Sequence, residues 1–394
     1  MGYWGNNIFT MFFYCHKIAR GDFISTLVIN ILQIRKNILE YKSKLGNDKK
    51  FCAVVKANAY GMGLEEIVSE IDDLVDYYAV SCEDEFFRVR KHTKKNVIIL
   101  DPIYENITNL AKQNCEFCVS NFKQFELFFN LSKMNLNIEF KIHIAFNTGM
   151  NRFGFVDENE ILRIFDIVKK TQNISIFGVF SHFYQGNDKF LSILQSYRFS
   201  KLKDKLVAKF DLTNTIFHIS NTSGFCFETQ FDMVRIGLGM LLNKNQQCFN
   251  LKSKIIEIQN LKSGDTAGYG LKFLASKNMR VAVVSIGYAD GVMRKISGRG
   301  CVLINGKRCL ILAVCMDSII VDVTNVQAEI LNDVIVCGKD GEDEISICEI
   351  AAWCDTIEYE IMTNISNRVV RVYIGGTKDA NNNGKISCTK ACCC

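Results

Sequence analysis

Short, continuously apolar segments alternate with amphipathic segments of helical length through residues 50–240. Such apolar runs are typical of buried parallel strands, because helices cover both faces of a parallel sheet. About eight strand–helix units occur, and that number predicts a closed (β/α)8 barrel. An open doubly wound sheet is the structural alternative, although no Gly-x-Gly-x-x-Gly sequence follows the first strand. The predicted strands are 51–57, 76–81, 96–101, 116–120, 139–146, 174–181, 215–220 and 233–237.

The pattern changes near residue 245, where short apolar runs alternate with turn sequences and helices become scarce. Ahead of the barrel, residues 28–41 predict a strand followed by a helix. The predicted segments are an unassigned N-terminal extension (1–26), the barrel (27–245), a mostly β domain (246–376) and a disordered, cysteine-rich tail (377–394). The predicted strands of the β domain are 253–258, 280–286, 301–304, 307–313, 319–323 and 334–338.

The composition argues against several classes of protein. The 47 Lys and Arg residues exceed the 42 Asp and Glu residues by only five, which argues against nucleic-acid binding. No run of about 18 apolar residues occurs, so no transmembrane helix is expected. The start of the chain lacks signal-peptide features, and the 17 cysteines do not suit a disulfide scaffold, so we expect reduced thiols in the cytoplasm. Cys115 and Cys118 have zinc or redox spacing, but no second pair supports a metal site.

Charged and polar side chains follow the ends of the predicted barrel strands, where the active sites of such barrels lie. Lys56 comes directly after the apolar segment 51–55. Its amine either extends out of the barrel mouth or acts as a nucleophile in a dry site, where desolvation would lower its pKa. Thr222 and the turn at 235–237 follow the seventh and eighth strands, where barrels of this kind bind phosphate.

Seven short motifs resemble those of the alanine racemase family, whose members are pyridoxal-phosphate enzymes of fold type III. They occur in the family's order between residues 27 and 375. Residues 143–145 and 267–270 are especially similar to the serine/alanine racemase branch. The motifs are AVVKANAYGMG (53–63), NTGMNRFG (147–154), HISN (218–221), MVRIG (233–237), GYG (268–270), IGYADG (286–291) and CMD (315–317).

The resemblance implies an isomerase that interconverts L- and D-alanine and supplies D-amino acid for cell-wall peptidoglycan. Lys56 would bind pyridoxal 5'-phosphate covalently and act as one base, and Tyr269 would be the base on the opposite face. Two bases make chemical sense, because racemisation moves a proton between the faces of a planar carbanion. The implied cofactor-binding residues are Lys56, Tyr60, Arg152, His182, Asn221, Thr222, Arg235, Gly237 and Leu238. The implied substrate-binding residues are Arg152, Met316, Asp317, Tyr288 and Asn367.

The same resemblance implies a homodimer in which Tyr269 reaches the active site of the partner subunit. It also places Arg235 beside the pyridine nitrogen of the cofactor, with His182 in the network that polarises the tyrosine. A guanidinium cannot release its proton, so the pyridine nitrogen would stay unprotonated and the cofactor would be a weaker electron sink. The implied partners are a small amino-acid substrate and a second copy of the chain, with no nucleic acid, membrane or metal.

Two departures from the family's pattern bear on this prediction. Ala145 stands where many members have a lysine that becomes carbamylated and orients the arginine, here Arg152. Asn367 falls where many members have a tyrosine, so we expect a wider and wetter substrate pocket. Three alternatives stay open: a serine/alanine racemase of broader specificity, a catalytically impaired pyridoxal-phosphate-binding protein, and a decarboxylase of similar architecture. The presence of Tyr269 argues against the second, and the motif at 315–317 fits a racemase better than the third.

Overall fold

Residues 25–225, 231–244 and 246–376 are described by the computed structural model, together with the backbone of the strand Ser387–Thr389. Residues 1–24 of the predicted N-terminal extension lie outside these ranges, as does the predicted disordered tail apart from that strand. Within the described ranges, no helix combines the length and the apolar character that crossing a membrane requires.

Strand β1 (Thr26–Asn30) precedes eight parallel strands, which form the barrel that the apolar runs predict; the predicted fold class is confirmed. The ladder runs in the order β8-β7-β6-β5-β4-β3-β2-β9. The first and last strands of this ladder are not paired with each other as strands. Backbone N–H groups of Asp232 and Arg235 donate to the carbonyl oxygens of Phe217 (2.8 Å) and Ser220 (3.0 Å) across this gap, so the barrel is nearly closed. The strands are β2 (Lys50–Val54), β3 (Tyr77–Val80), β4 (Asn96–Ile99), β5 (Cys115–Val119), β6 (Phe140–Ala145), β7 (Ile174–Phe180), β8 (Ile216–His218) and β9 (Met233–Ile236).

Helices follow the strands of the barrel and cover its outer surface. Four of them start at an Asn or Asp whose side chain accepts a hydrogen bond from a first-turn N–H, which defines where the helix begins. The helices of the barrel are α1 (Ile31–Ser43), α2 (Lys56–Tyr60, a short left-handed turn), α3 (Leu64–Ile71), α4 (Glu83–Arg90), α5 (Ile107–Lys112), α6 (Phe122–Met134), α7 (Glu158–Val168), α8 (Lys189–Val207) and α9 (Leu238–Leu241). Two further helices, α10 (Ile347–Trp353) and α11 (Glu358–Thr363), belong to the second part of the chain.

The second part of the chain forms a ten-stranded sheet in the order β18-β17-β14-β15-β16-β13-β12-β1-β19-β20, beside a small hairpin of β10 and β11. Each of the six strands predicted from the turn-rich pattern is present, and β12 is longer than predicted. The strands are β10 (Leu242–Asn243), β11 (Gln246–Gln247), β12 (Phe249–Leu261), β13 (Met279–Val284), β14 (Cys301–Ile304), β15 (Lys307–Val314), β16 (Ile319–Asp322), β17 (Asp333–Asp340), β18 (Asp343–Ile345), β19 (Val370–Ile374) and β20 (Ser387–Thr389).

Strand β1 belongs to this second sheet although it precedes the barrel in the sequence. It pairs antiparallel with β12 and parallel with β19. The local pattern predicts the strand and the helix after it, but a pairing partner so distant in the chain leaves no local signal. The chain segment that forms the barrel is therefore connected to the second sheet at both of its ends, by β1 before it and by the strands that follow it.

Candidate active site

A cavity of about 200 Å³ opens at the carboxyl ends of the barrel strands. It brings together most of the residues that the sequence predicts for the cofactor, and Leu238 follows Gly237 directly in the chain. Its predicted lining residues are Lys56, Tyr60, Arg152, His182, Asn221, Thr222, Arg235 and Gly237. Its remaining lining residues are Val54, Leu100, Asp101, Phe153, Phe180 and Tyr359.

Lys56 is positioned by an unusual turn at the end of β2. The four residues that follow it, 57–60, all have positive φ angles between 51° and 56°, a left-handed conformation that non-glycine residues rarely adopt. The carboxylate of Glu85 on α4 holds the start of this turn, because it accepts hydrogen bonds from the N–H of Ala57 (2.6 Å) and of Ser81 (2.8 Å). The turn carries the lysine side chain into the cavity.

One end of the cavity is lined by hydroxyl groups and backbone N–H groups. The Thr222 hydroxyl accepts hydrogen bonds from the N–H of Gly237 (3.3 Å) and of Gly239 (3.2 Å). A Cβ atom at Gly237 would lie 2.0 Å from the Tyr60 hydroxyl, so only glycine fits there. Burial raises the pKa of Tyr60, which keeps its phenol protonated and able to donate. This cluster of donors suits a phosphate group.

Arg235 supplies a buried positive charge to the same cavity. Its guanidinium donates to the carbonyl oxygen of Ser181 (2.7 Å) and lies 2.7 Å from Nδ1 of His218. Burial lowers the pKa of Arg235 to about 10, and the side chain is still a cation at neutral pH.

His182 contacts both Arg235 and the amide of Asn221. Its Nδ1 lies 3.2 Å from a guanidinium nitrogen of Arg235, and its Nε2 lies 3.2 Å from the Asn221 amide nitrogen. Burial, followed by the charges of Arg235, Arg152 and Lys56, lowers the pKa of His182 to about 3. The imidazole is therefore neutral at physiological pH.

Three predicted residues lie in the segments that connect strands of the second sheet, and they do not line this cavity within one chain. Tyr269 is 75% exposed, between Gly268 and Gly270, which both have positive φ angles. Tyr288 and Met316 are also exposed. They are neighbours, because the N–H of Ala289 donates to the Met316 carbonyl (3.0 Å).

Two further predicted residues are not brought to the cavity. Asp317 is exposed and pairs with Arg368 at 2.7 Å. Asn367 is exposed, and Tyr359 of α11 lines the cavity instead, with its ring 5.8 Å from the ring of Tyr60. The expectation of a wider pocket rests on Asn367 and stays a prediction; within one chain the phenol of Tyr359 lines the cavity and Asn367 does not.

The missing lysine at Ala145 leaves a short side chain next to Arg152. Arg152 is exposed and lies over the ring of Phe153 at 4.8 Å. Asn147 orders the loop that carries it, because its side-chain oxygen accepts from the N–H of Gly149 (3.0 Å) and of Asn151 (3.1 Å). Among the described residues no carboxylate forms an ion pair with Arg152, and the loop ordered by Asn147 carries it.

Comparison with known proteins agrees with this arrangement. Residues 29–244 match the family "Alanine racemase, N-terminal domain", and residues 248–373 match "Alanine racemase, C-terminal domain". Alanine racemase of Thermodesulfovibrio yellowstonii is 33% identical over 359 residues, which are 88% of this chain and 96% of that protein. The structure of Bacillus anthracis alanine racemase with bound L-Ala-P has a TM-score of 0.85 at 26% identity and covers 94% of this chain and 99% of that one.

A barrel with a lysine at its rim, followed by a β-sheet domain, is the architecture of the pyridoxal-phosphate enzymes of fold type III. The chain belongs to the alanine racemase family, as the resemblance implied. This family uses pyridoxal phosphate, and that predicted cofactor is confirmed for the family. The alanine racemase of Bartonella henselae, which has the same fold (TM-score 0.80, 22% identity, 89% of this chain and 99% of that one), carries it covalently bound.

Proposed function

We propose that this protein is a pyridoxal-phosphate-dependent racemase that interconverts L- and D-alanine, with Lys56 and Tyr269 as its two bases. One observation carries the proposal. A single cavity brings together an amine, a buried guanidinium and two hydroxyl groups, supplied by Lys56, Arg235, Tyr60 and Thr222. An amine nucleophile, a fixed cation and phosphate donors are the groups that an aldehyde cofactor with a phosphate requires.

The residues present fit the cofactor. Tyr60, Thr222 and Gly237 line one end of the cavity, and their hydroxyl and N–H groups, with the N–H of Leu238 next in the chain, would hold the phosphate. Lys56 would hold the aldehyde carbon, and Arg235 would face the pyridine nitrogen. Pyridoxal phosphate, when bound, withdraws electrons from the α-carbon of the attached amino acid and makes its proton acidic.

The chain's own residues would then move that proton. Nζ of Lys56 would exchange it on one face of the α-carbon, and Oη of Tyr269 would exchange it on the other. His182 is neutral and touches Arg235, and it would polarise the Tyr269 phenol of a second copy through a hydrogen bond without adding a charge. Arg152 and the N–H of Met316 would bind the substrate carboxylate.

The proposed active site is shared between two copies of the chain. Within one chain Tyr269 is exposed and does not line the cavity of Lys56. Other large apolar side chains in the segments that connect strands of the second sheet are also exposed, and they suit burial against a second subunit. They are Leu271, Leu274, Tyr288 and Met316. A head-to-tail homodimer would bring this surface to the partner's barrel mouth.

Tyr359 supports a preference for alanine over serine. The phenol lines the cavity beside Tyr60 and limits the space for a substrate side chain. Racemisation of alanine would supply D-alanine for peptidoglycan. The eleven cysteines of the described residues are all free, which suits a cytoplasmic enzyme.

A spectroscopic and chiral assay tests the proposal. The purified protein is mixed with pyridoxal phosphate, its visible absorbance is recorded, and a panel of L-amino acids is then analysed by chiral chromatography. We expect a bound-cofactor band and formation of D-alanine. A band without any turnover would favour the impaired binding protein, and release of CO₂ with an amine product would favour a decarboxylase. Equal turnover of serine and alanine would favour the broader racemase.

A further inference from the structure

Four polar side chains cross the interior of the barrel behind the cavity. The guanidinium of Arg235 on β9 lies 2.7 Å from Nδ1 of His218 on β8. Nε2 of His218 lies 3.0 Å from Nδ1 of His143 on β6, and Nε2 of His143 lies 2.7 Å from a carboxylate oxygen of Glu116 on β5. Three of the four are completely buried, and Arg235 is 3% exposed. The proposed reaction uses only Arg235 of this series.

The direction of every hydrogen bond in this series follows from its first member. A guanidinium can only donate, so Nδ1 of His218 must accept and its proton must be on Nε2. That N–H donates to Nδ1 of His143, whose own proton is then on Nε2 and points at Glu116. Burial and the nearby charge of Arg235 lower the pKa of His218 well below its ordinary value, in agreement with a neutral imidazole. The series therefore begins at a cation and ends at a carboxylate.

We propose that Glu116 is a positioning residue, which acts through His143 and His218 to fix the orientation and charge of Arg235. A buried cation is unfavourable unless it is paired, and a carboxylate at the end of a polarised series supplies the opposite charge. The second oxygen of Glu116 is buried and has no hydrogen-bond partner among the described residues. His143 is therefore the one described residue that hydrogen-bonds to this carboxylate. The role assigned to Arg235 at the cofactor rests on the proposed function.

The tautomers of the two histidines test the geometry without cofactor or substrate. The chain has five histidines, so ¹⁵N-histidine labelling and single substitutions give a complete assignment. In cofactor-free wild-type protein, long-range ¹⁵N–¹H spectra should show His143 and His218 neutral and protonated at Nε2. A proton on Nδ1 of either ring, or a cationic ring, would overturn the proposal. This result stands even if the protein proves not to be a racemase.

Substitution of Glu116 tests the consequence at the cofactor. In Glu116→Gln the amide oxygen can still accept from His143, so the tautomers persist but the charge is lost; in Glu116→Leu both are lost. We expect kcat to fall by about tenfold or more in Glu116→Leu and by less in Glu116→Gln, with little change in KM. A tenfold fall in kcat corresponds to an increase of about 1.4 kcal/mol in the activation free energy. The ¹⁵N resonance of the pyridine nitrogen in labelled, bound cofactor should shift in the same order.

A matched control separates this effect from general damage. Glu70 of α3 is also buried, but it lies on an outer helix, so Glu70→Gln should leave the pyridine resonance unchanged. An unchanged pyridine resonance and wild-type kcat in folded Glu116→Leu would overturn the proposal. If Glu116→Leu does not fold, the same comparison is made with His143→Gln, and the tautomers of the wild-type protein remain decisive.

Discussion

Arg371 of β19 donates two hydrogen bonds, of 3.1 and 3.0 Å, to the carbonyl oxygen of Gly61, which lies 310 residues earlier in the chain. Gly61 ends the left-handed turn that begins after Lys56, and a Cβ atom there would lie 2.4 Å from the Met362 carbonyl oxygen. The second sheet thus holds the turn that carries the lysine, and it does so through a buried guanidinium.

Removal of this contact should weaken the fold and the cofactor site together. In Arg371→Ala the backbone carbonyl oxygens that accept from the guanidinium lose their hydrogen-bond donor. Each buried polar group left without a hydrogen bond lowers the free energy of unfolding by about 1–3 kcal/mol. We expect the free energy of unfolding to fall by about 2–4 kcal/mol, measured with urea, and the affinity for pyridoxal phosphate to fall as well. Exposed Arg163→Ala is the control. Equal stability of the two variants would contradict the structural role.

Lys56→Ala should abolish both the visible absorbance of the bound cofactor and racemisation, because the amine that holds the aldehyde is lost. Thermal unfolding should remain cooperative, since the side chain contributes little to the core. Lys307→Ala, an exposed lysine of β15, should retain both properties. Racemisation by Lys56→Ala without added amine would disprove the assignment of the lysine.

Mixing two inactive variants should restore activity if the site is shared. Lys56→Ala and Tyr269→Phe chains each lack one base, but a mixed dimer has one intact site. After equilibration we expect up to about a quarter of wild-type activity, because half of the dimers are mixed and each has one of two sites. Chain exchange is monitored by mass spectrometry of the intact dimers. If exchange is complete and activity stays at background, Tyr269 does not act across an interface.

Tyr359 should restrict the substrate side chain. Tyr359→Ala opens the cavity, so kcat/KM for serine relative to alanine should rise by about tenfold, within the range that pocket contacts of one or two atoms provide. Asn367→Ala is the matched control, because Asn367 is exposed and lies outside the cavity. A change in the serine-to-alanine ratio with Asn367→Ala and none with Tyr359→Ala would contradict the prediction. The restriction would then lie with Asn367 and not with Tyr359.

The neutral His182 should make the fold less stable as the pH falls. An unfolded histidine titrates near pH 6.5, whereas burial lowers the pKa of His182 to about 3. Between these values the unfolded chain binds a proton that the folded chain does not. Stability therefore decreases as pH decreases from about 6.5 towards 3, by at most about 1.4 kcal/mol per pH unit for one histidine.

Urea unfolding of the cofactor-free protein at several pH values between 7.5 and 5 checks this dependence. His182→Gln should show a smaller loss of stability over that range than the wild type, because the titrating group is gone. His92→Gln, at an exposed histidine, should keep the wild-type slope. Identical slopes for all three proteins would mean that His182 is not buried as described.

The sequence predicts the barrel and most of the cavity for one physical reason. Parallel strands are buried on both faces, so a lysine or arginine at the end of an apolar run stands out, as Lys56 and Arg235 do. The same signal could have found Glu116 and His143, because both are polar residues inside buried strands. Local patterns cannot show that these strands place them next to each other.

Tyr359 had no comparable signal. It lies on a short helix of the second domain, where an aromatic residue usually packs in the core, and only the folded chain shows that it reaches the cavity. The prediction for Asn367 rests on the resemblance to the family alone and on no local pattern. The partner of β1 was invisible for a related reason, since sheet pairing between distant segments depends on the whole fold.

The position of β1 also sets an order of events on the ribosome. This strand is made before the barrel, but its two neighbours are β12 and β19, which are made after it. At about 5–20 residues per second, β19 emerges tens of seconds after β1. Both edges of β1 stay unpaired until β12 emerges, and one edge stays unpaired until β19 follows. Nascent chains of this protein should therefore depend on chaperones until translation reaches the last strands.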